Sequence, residues 1–327
     1  DTARISLGIA LGYDWLYDRF TPEERRTIRQ ALIENGLKQG LSEDHWWRFC
    51  NNNWAQVCHL GMLAAALIAS DDAPDLAARA VTDAVNAQER VMRECYAANG
   101  IYPEGPDYWS ASCDQVLLLN MLTHAFHTDF GLESLPGWDR TGQFFAAVRG
   151  PSGKFYNFAD SDTEAELKLA NFYLASRFNE PACLPPDLLK KFENFCMDGV
   201  FYPENGVWTL FPMLLCYSPP PPEWTSPPPR VFWTGNGATV PVALLRAGSG
   251  QEELFLGIKG GKPDANHGHM DNGSFVFDAG PVRWVEDPGH EDYTRIEGLK
   301  MNLWSRNQFS DRWKLFRLGP EGHSILR

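Results

Sequence analysis

A chain of 327 residues with 44% hydrophobic content can bury more than one core, so two domains are the natural expectation. Its formal net charge of -13 argues against nucleic acid or an anionic membrane as the default partner, because an acidic field repels a polyanion at long range. Seven cysteines without a CxxC pair indicate neither a cysteine zinc site nor a redox dithiol, and no apolar run reaches bilayer length. The chain enters a helical pattern almost at Asp1 and stops on Ser324-Ile325-Leu326-Arg327, which reads as a strand beginning. Both ends look cut, so a missing targeting segment says little about location.

The first two hundred residues read as consecutive helices. Ile5, Leu7, Ile9, Ala10, Tyr13, Leu16 and Tyr17 form a helical stripe. Thr21-Pro22-Glu23-Glu24 then supplies an N-cap, an N1 proline and acidic first-turn groups for a helix running towards Gly36 or Gly40. Residues 53–69 make a very apolar third helix, followed by helices over 75–96 and 112–126 and shorter ones over 142–148, 163–178 and 186–196. Such a series suggests stacked helical hairpins with loops at one rim, where a cleft could form. Tyr102-Pro103-Glu104-Gly105 and Tyr202-Pro203-Glu204-Asn205 read either as equivalent hairpin ends or as chance.

The proline-rich stretch from Pro219 to Pro229 can neither continue a helix nor fill a central strand. Beyond it the pattern turns to short strands over 238–245, 253–259, 273–278, 282–285 and 313–318. The expected organisation is a helical domain over 1–218, a linker over 219–231 and a sheet domain over 232–327.

With eight histidines in the whole chain, the cluster Asn266-His267-Gly268-His269-Met270-Asp271 stands out. Two imidazoles and a carboxylate gathered by a sheet, His269, His323 and Asp287, would suit Zn²⁺; the alternative is a hydrogen-bonded His–Asp network tying strands together. Two positions apart on an extended segment, His267 and His269 should point to opposite sides. His269 would then anchor the metal as a scaffold and His267 would be free for chemistry.

These stretches resemble the heparinase II/III-like polysaccharide lyases. The likeness is carried by Asn51-Asn52-Asn53-Trp54-Ala55-Gln56-Val57-Cys58, Tyr102-Pro103-Glu104-Gly105-Pro106-Asp107-Tyr108-Trp109, Asn266-His267-Gly268-His269-Met270-Asp271-Asn272-Gly273-Ser274-Phe275 and Gly322-His323-Ser324. It implies an incomplete (α/α) toroid followed by an antiparallel β-sandwich, truncated here. It also implies Tyr108 as the catalytic tyrosine, His267 as the sandwich histidine, Asn53 and Gln56 at polar active-site positions, and His269, Asp287 and His323 as ligands of a structural Zn²⁺. The implied partner is an acidic polysaccharide or oligosaccharide, with no nucleic acid and no membrane, a homodimer being allowed. The implied location is periplasmic or secreted. Some relatives carry histidine where this chain has Asn53, which leaves the division of acid and base roles open.

The implied reaction is β-elimination at a uronic acid, in which the C5 proton is removed and the C4–O bond breaks. A lyase must neutralise or hydrogen-bond the uronate carboxylate and hold a base near C5. Asn53 and Gln56 are amides able to grip that carboxylate, although Asn53 also reads as an N-cap. Tyr108 is a weak base at its ordinary pKa of ~10 and would need its phenolate favoured. Arg48 reads as an acidic-substrate contact or as a solvated helix-end residue. Trp46 and Trp47, beside His45, read as an aromatic rim, and Trp109 as a further sugar platform. Glu104 reads as a cleft residue that positions Tyr108 or as a turn carboxylate. His290, Asp292 and Tyr293 read as cleft-lining or as satisfied surface groups. A uronate C5-epimerase and a non-catalytic glycan-binding relative are the competing functions; a glycosidase is weaker, since Glu104 and Asp107 lack an evident carboxylate partner.

Overall fold

The computed structural model describes residues 2–43, 45–96, 99–198, 228–234 and 238–325, with the backbone alone over 195–198. The Tyr202-Pro203-Glu204-Asn205 motif and residues 219–227 of the expected linker lie outside the described residues. The chain divides into two compact units, Asp1–Glu94 with Ala111–Leu135, and Cys95–Ser110 with Pro136–Arg327. It is mostly helical, with one five-stranded antiparallel sheet in its C-terminal region among the described residues. No described helix is long and apolar enough to cross a membrane.

The first unit is built from α1 (Thr2–Trp15), α2 (Pro22–Ala31), α3 (Asn53–Ala69), most of α4 (Pro74–Tyr96) and α5 (Ala111–Phe126). The Thr21 hydroxyl accepts from the Glu24 amide and the Glu24 carboxylate accepts from the Thr21 amide, so the expected start of α2 is a full capping box. The helix continues through a π-helical stretch, Leu32–Leu37, into Lys38–Gly40. α3 is apolar all round and correspondingly buried, with α1 packed along it and α5 against it. Close approach explains Gly61: a Cβ there would lie 2.1 Å from the Ala3 carbonyl oxygen. The cap of α3 is Asn52, whose side chain accepts from the Trp54 amide, so Asn53 is the first helical residue and does not serve as the N-cap.

The second unit contains α6 (Thr141–Ala147), α7 (Leu169–Phe178), α8 (Pro186–Asp198) and α9 (Tyr293–Gly298) around the sheet. Its strands are β1 (Val231–Trp233), β2 (Val242–Ala247), β3 (Leu254–Lys259), β4 (Phe275–Ala279) and β5 (Val282–Val285), each paired with the next in sequence as a meander. Two expectations fail here. Residues 163–168 stay outside α7, which starts only at Leu169. Residues 313–318 form no strand; the 3₁₀ turn Asp311–Lys314 and a further turn take their place, because Arg312 is drawn inward to a buried carboxylate. A second sandwich layer is not found among the described residues.

Both faces of the sheet carry apolar side chains. One face is apolar and largely open, carrying Val231, Trp233, Leu245, Ile258, Phe275 and Trp284. The other packs on residues 144–158 through Phe232, Phe255 and Tyr156, yet it also buries Lys259, Asp278 and Arg283. Those charges are matched. Arg283 is ion-paired with Asp278 and donates to the Phe155 and Lys154 carbonyls, while Asp278 also accepts from Ser152. Lys259 is paired with Asp271. Removing one member of a buried pair strands the other without solvent. Arg283→Ala is therefore predicted to destabilise the second unit by about 3–5 kcal/mol, read as a lower urea midpoint; Arg283→Ala with Asp278→Ala together should lose less than the single change. Equal midpoints for wild type and Arg283→Ala would refute the assignment.

Candidate functional site

Four stretches of the second unit converge on the Asn266–Asp271 turn. Tyr108 opens a 3₁₀ turn, Tyr108–Ser110, separated by two residues from the Tyr102-Pro103-Glu104-Gly105 segment. Gly105 has φ +91, and a Cβ there would meet the Phe158 carbonyl oxygen at 2.3 Å, so the tight bend that presents Glu104 and Tyr108 needs glycine. His267 has φ 57, in the left-handed region, so the segment is a turn and the alternation expected of an extended strand does not apply. Ala159, preceding Asp160, is also left-handed at φ 60. The Asp160 amide donates to the His267 carbonyl at 3.1 Å, tying the two strained turns together.

The Tyr108 and His267 rings stack, centroids 3.7 Å apart and planes 12° from parallel. Glu104 is buried and accepts from His267 Nδ1 at 2.8 Å and from Asn266 Nδ2 at 2.7 Å. A carboxylate only accepts, so Nδ1 carries the proton and Nε2 keeps its lone pair. Glu104 thus orients His267; it neither faces a substrate nor simply braces a turn.

The Tyr108 hydroxyl lies 3.1 Å from that of Tyr293, which donates to Asp160 Oδ2 at 2.8 Å. Tyr293 uses its one proton on the carboxylate, so Tyr108 is the donor between the two phenols. Burial pushes the Tyr108 phenol up to about 12, the Asp160 and Glu104 charges adding to it against the Tyr293 hydrogen bond. Tyr293 is raised further, by burial and then by Asp160. Asp160 is itself buried, which alone would raise it, but the His269 hydrogen bond and the Arg312 charge outweigh burial and hold its carboxyl well below the usual range. Arg312 reaches both Asp160 oxygens at 2.9 and 3.0 Å and also donates to the Gly268 carbonyl.

His269 sends Nε2 to Asp160 Oδ1 at 2.9 Å and leaves Nδ1 facing away. His269 precedes β4 and Asp287 follows β5, so the open end of one hairpin brings them side by side, and the C-terminal turn adds His323. Ligand atoms of His269, Asp287 and His323 all lie within 4.8 Å of one another. His269 Nδ1, Asp287 Oδ2 and both His323 ring nitrogens are buried without a hydrogen-bond partner. Asp287 Oδ2 and His323 Nδ1 stand 3.3 Å apart, close enough for charge attraction but misaligned as a hydrogen bond. Buried polar atoms seldom go unpartnered, and this donor set fits a divalent transition-metal ion, with Asp160 orienting a ligand histidine as carboxylates commonly do.

The remaining expected residues fall elsewhere. Asn53, Gln56, Trp46, Trp47 and Arg48 belong to the first unit. Gln56 is fully buried and its amide donates to Gln115 at 3.4 Å. Arg48 is buried, ion-paired with Asp83 and bonded to the Ser42 carbonyl, so the solvated reading is wrong. Trp46 is 59% exposed, and Trp47 packs edge-on against His59. Trp109 is only 1% exposed and its indole donates to Thr141 at 2.8 Å, which leaves no face for a sugar. Asp160 and Arg312 were not foreseen; they sit in irregular backbone, and the nearest sequence signal is the isolated Asp160-Ser161-Asp162 run after an aromatic stretch.

No family model matches the chain, and no curated protein does. Solved structures do match. Heparan sulfate lyase HepC of Pedobacter heparinus is similar at 14% identity and TM-score 0.49, over 91% of this chain and 42% of that one. A mutant of the same lyase gives 15% identity and TM-score 0.47, over 84% and 38%. A heparinase III gene product gives 16% identity and TM-score 0.45, over 83% and 37%. The chain therefore spans about two fifths of the length of these structures.

Because the Glu104 carboxylate accepts from His267 Nδ1, Glu104→Gln is predicted to let the His267 ring populate both tautomers, read from its ring-nitrogen NMR shifts, whereas Glu104→Asp should keep the proton on Nδ1. A Gln variant with wild-type ring-nitrogen shifts would rule the orienting role out.

Proposed function

We propose that this chain carries the catalytic centre of a polysaccharide lyase that cleaves a uronate-containing acidic glycan by β-elimination. One observation supports it above the others: a phenol held protonated is stacked on an imidazole whose free nitrogen is fixed by a buried carboxylate. In the proposed step, His267 Nε2 takes the C5 proton. The C5–H electron pair becomes the C4=C5 double bond, the C4–O bond breaks, and Tyr108 gives its proton to the departing oxygen. Tyr293 and Asp160 hold the Tyr108 hydroxyl in place until that transfer. The sequence resemblance implies Asn53 and Gln56 at polar active-site positions, with the helices belonging to a toroid.

We further propose that His269, Asp287 and His323 hold a Zn²⁺ ion, which when bound supplies a fixed charge that locks the strand ends and the C-terminal turn together. The protein would act in the periplasm or outside the cell.

Incubation with heparan sulfate, chondroitin sulfate, alginate and bacterial uronate glycans should release unsaturated products absorbing in the near ultraviolet. A folded protein that yields none across the panel would defeat the proposal, and solvent deuterium entering C5 without cleavage would indicate epimerisation instead. Tyr108→Phe should lose about 10²-fold or more in turnover with little change in affinity. With Tyr108 raised to about 12, kcat/KM should show no loss of the acid up to about pH 10. A fall between pH 8 and 9 would contradict the acid role. Metal analysis should find about one zinc per chain, lost in His323→Ala and Asp287→Ala.

A further inference from the structure

Beside the catalytic pair, residues 293–318 form a segment whose charge opposes that of the chain. It holds six basic and two acidic residues in a protein of net charge -13. Arg295, Lys300 and Arg306 within it are exposed and, among the described residues, have no carboxylate partner. The segment is built to hold its shape. Ile296, Leu303 and Leu318 form a small buried core beneath it. The Asn302 amide is fixed by Asp311, and the Ser310 hydroxyl by the Ser305 carbonyl at 2.6 Å.

On this base Trp304 is 52% exposed. Its indole N–H donates to Glu297 at 2.8 Å, which fixes the ring. The ring stands edge-on to His267, centroids 6.2 Å apart, and to Tyr293, 5.0 Å apart. Arg306 donates to the Asp264 carbonyl at 3.0 Å, against the turn that carries Asn266 and His267. A held, half-open indole next to the reacting groups, with cations on the same segment, matches an anionic oligosaccharide: a flat C–H face for the ring and a sulfate or carboxylate for the guanidinium.

The geometry points to residues 299–311 as a glycan-binding lip, with Trp304 the platform for the sugar next to the cleaved uronate and Arg306 the contact for that sugar's anionic group. The orientation of the glycan rests on the lyase reading; the binding surface does not.

The test uses heparan sulfate and alginate octasaccharides, with binding measured calorimetrically in a Tyr108→Phe background, where cleavage is slowed, and kinetics in the otherwise wild-type protein. Trp304→Ala should raise Kd and KM by about tenfold with a much smaller change in kcat, and Trp304→Phe should restore most of the loss. Arg306→Gln should weaken binding and reduce the slope of log Kd against log salt by about one. If wild type forms no unsaturated product yet Trp304→Ala still loses the octasaccharides, the lip stands and the lyase reading falls. If wild type cleaves and both Trp304→Ala and Arg306→Gln keep its Kd, KM and salt slope, the lip is refuted.

Discussion

Asp160 is the point on which the second unit's chemistry turns. A carboxylate with no solvent contact is costly unless each oxygen is engaged, and this one is engaged by three side chains from distant parts of the chain: His269, Tyr293 and Arg312. Through His269 it touches the His269, Asp287 and His323 cluster, through Tyr293 it aligns Tyr108, and through Arg312 it secures the Gly268 carbonyl. The left-handed residues Ala159 and His267 place their turns within hydrogen-bond reach of one another, at a backbone cost of about 1 kcal/mol or more each. The charge network offsets that strain.

The sheet supplies the frame. Its meander puts the residues before β4 and after β5 at one end, which is why two metal-type ligands separated by eighteen positions come together. Its packed face buries Phe232, Val242, Leu244, Phe255 and Val276 together with the matched charges Asp278, Arg283 and Lys259, while its open face is also apolar. The interior charges hold residues 150–158 against the sheet, and that stretch leads straight into Asp160.

Much of the helical unit was readable in advance. Thr21-Pro22-Glu23-Glu24 contains both halves of a capping box, and the apolar run of α3 has the length and composition of a buried helix. The cluster around His267 was also legible, since histidines are scarce and their setting before a strand is distinctive. Trp109 and Arg48 were misread because exposure depends on neighbours: an indole beside Thr141 and a guanidinium beside Asp83 are satisfied inside the protein. Tyr293 was noticed without a role, and Trp304 was passed over among twelve tryptophans.

Local rules act over a few residues, so the amino-acid order determined what local rules control: helix starts, strand alternation, and the residue types able to ligate metal or move a proton. The pairing of Glu104 with His267 across 163 positions, and of Arg312 with Asp160 across 152, was decided by tertiary structure. Such pairs leave no period in the chain, because the burial that makes each charge seek a partner exists only after the turns have closed around it.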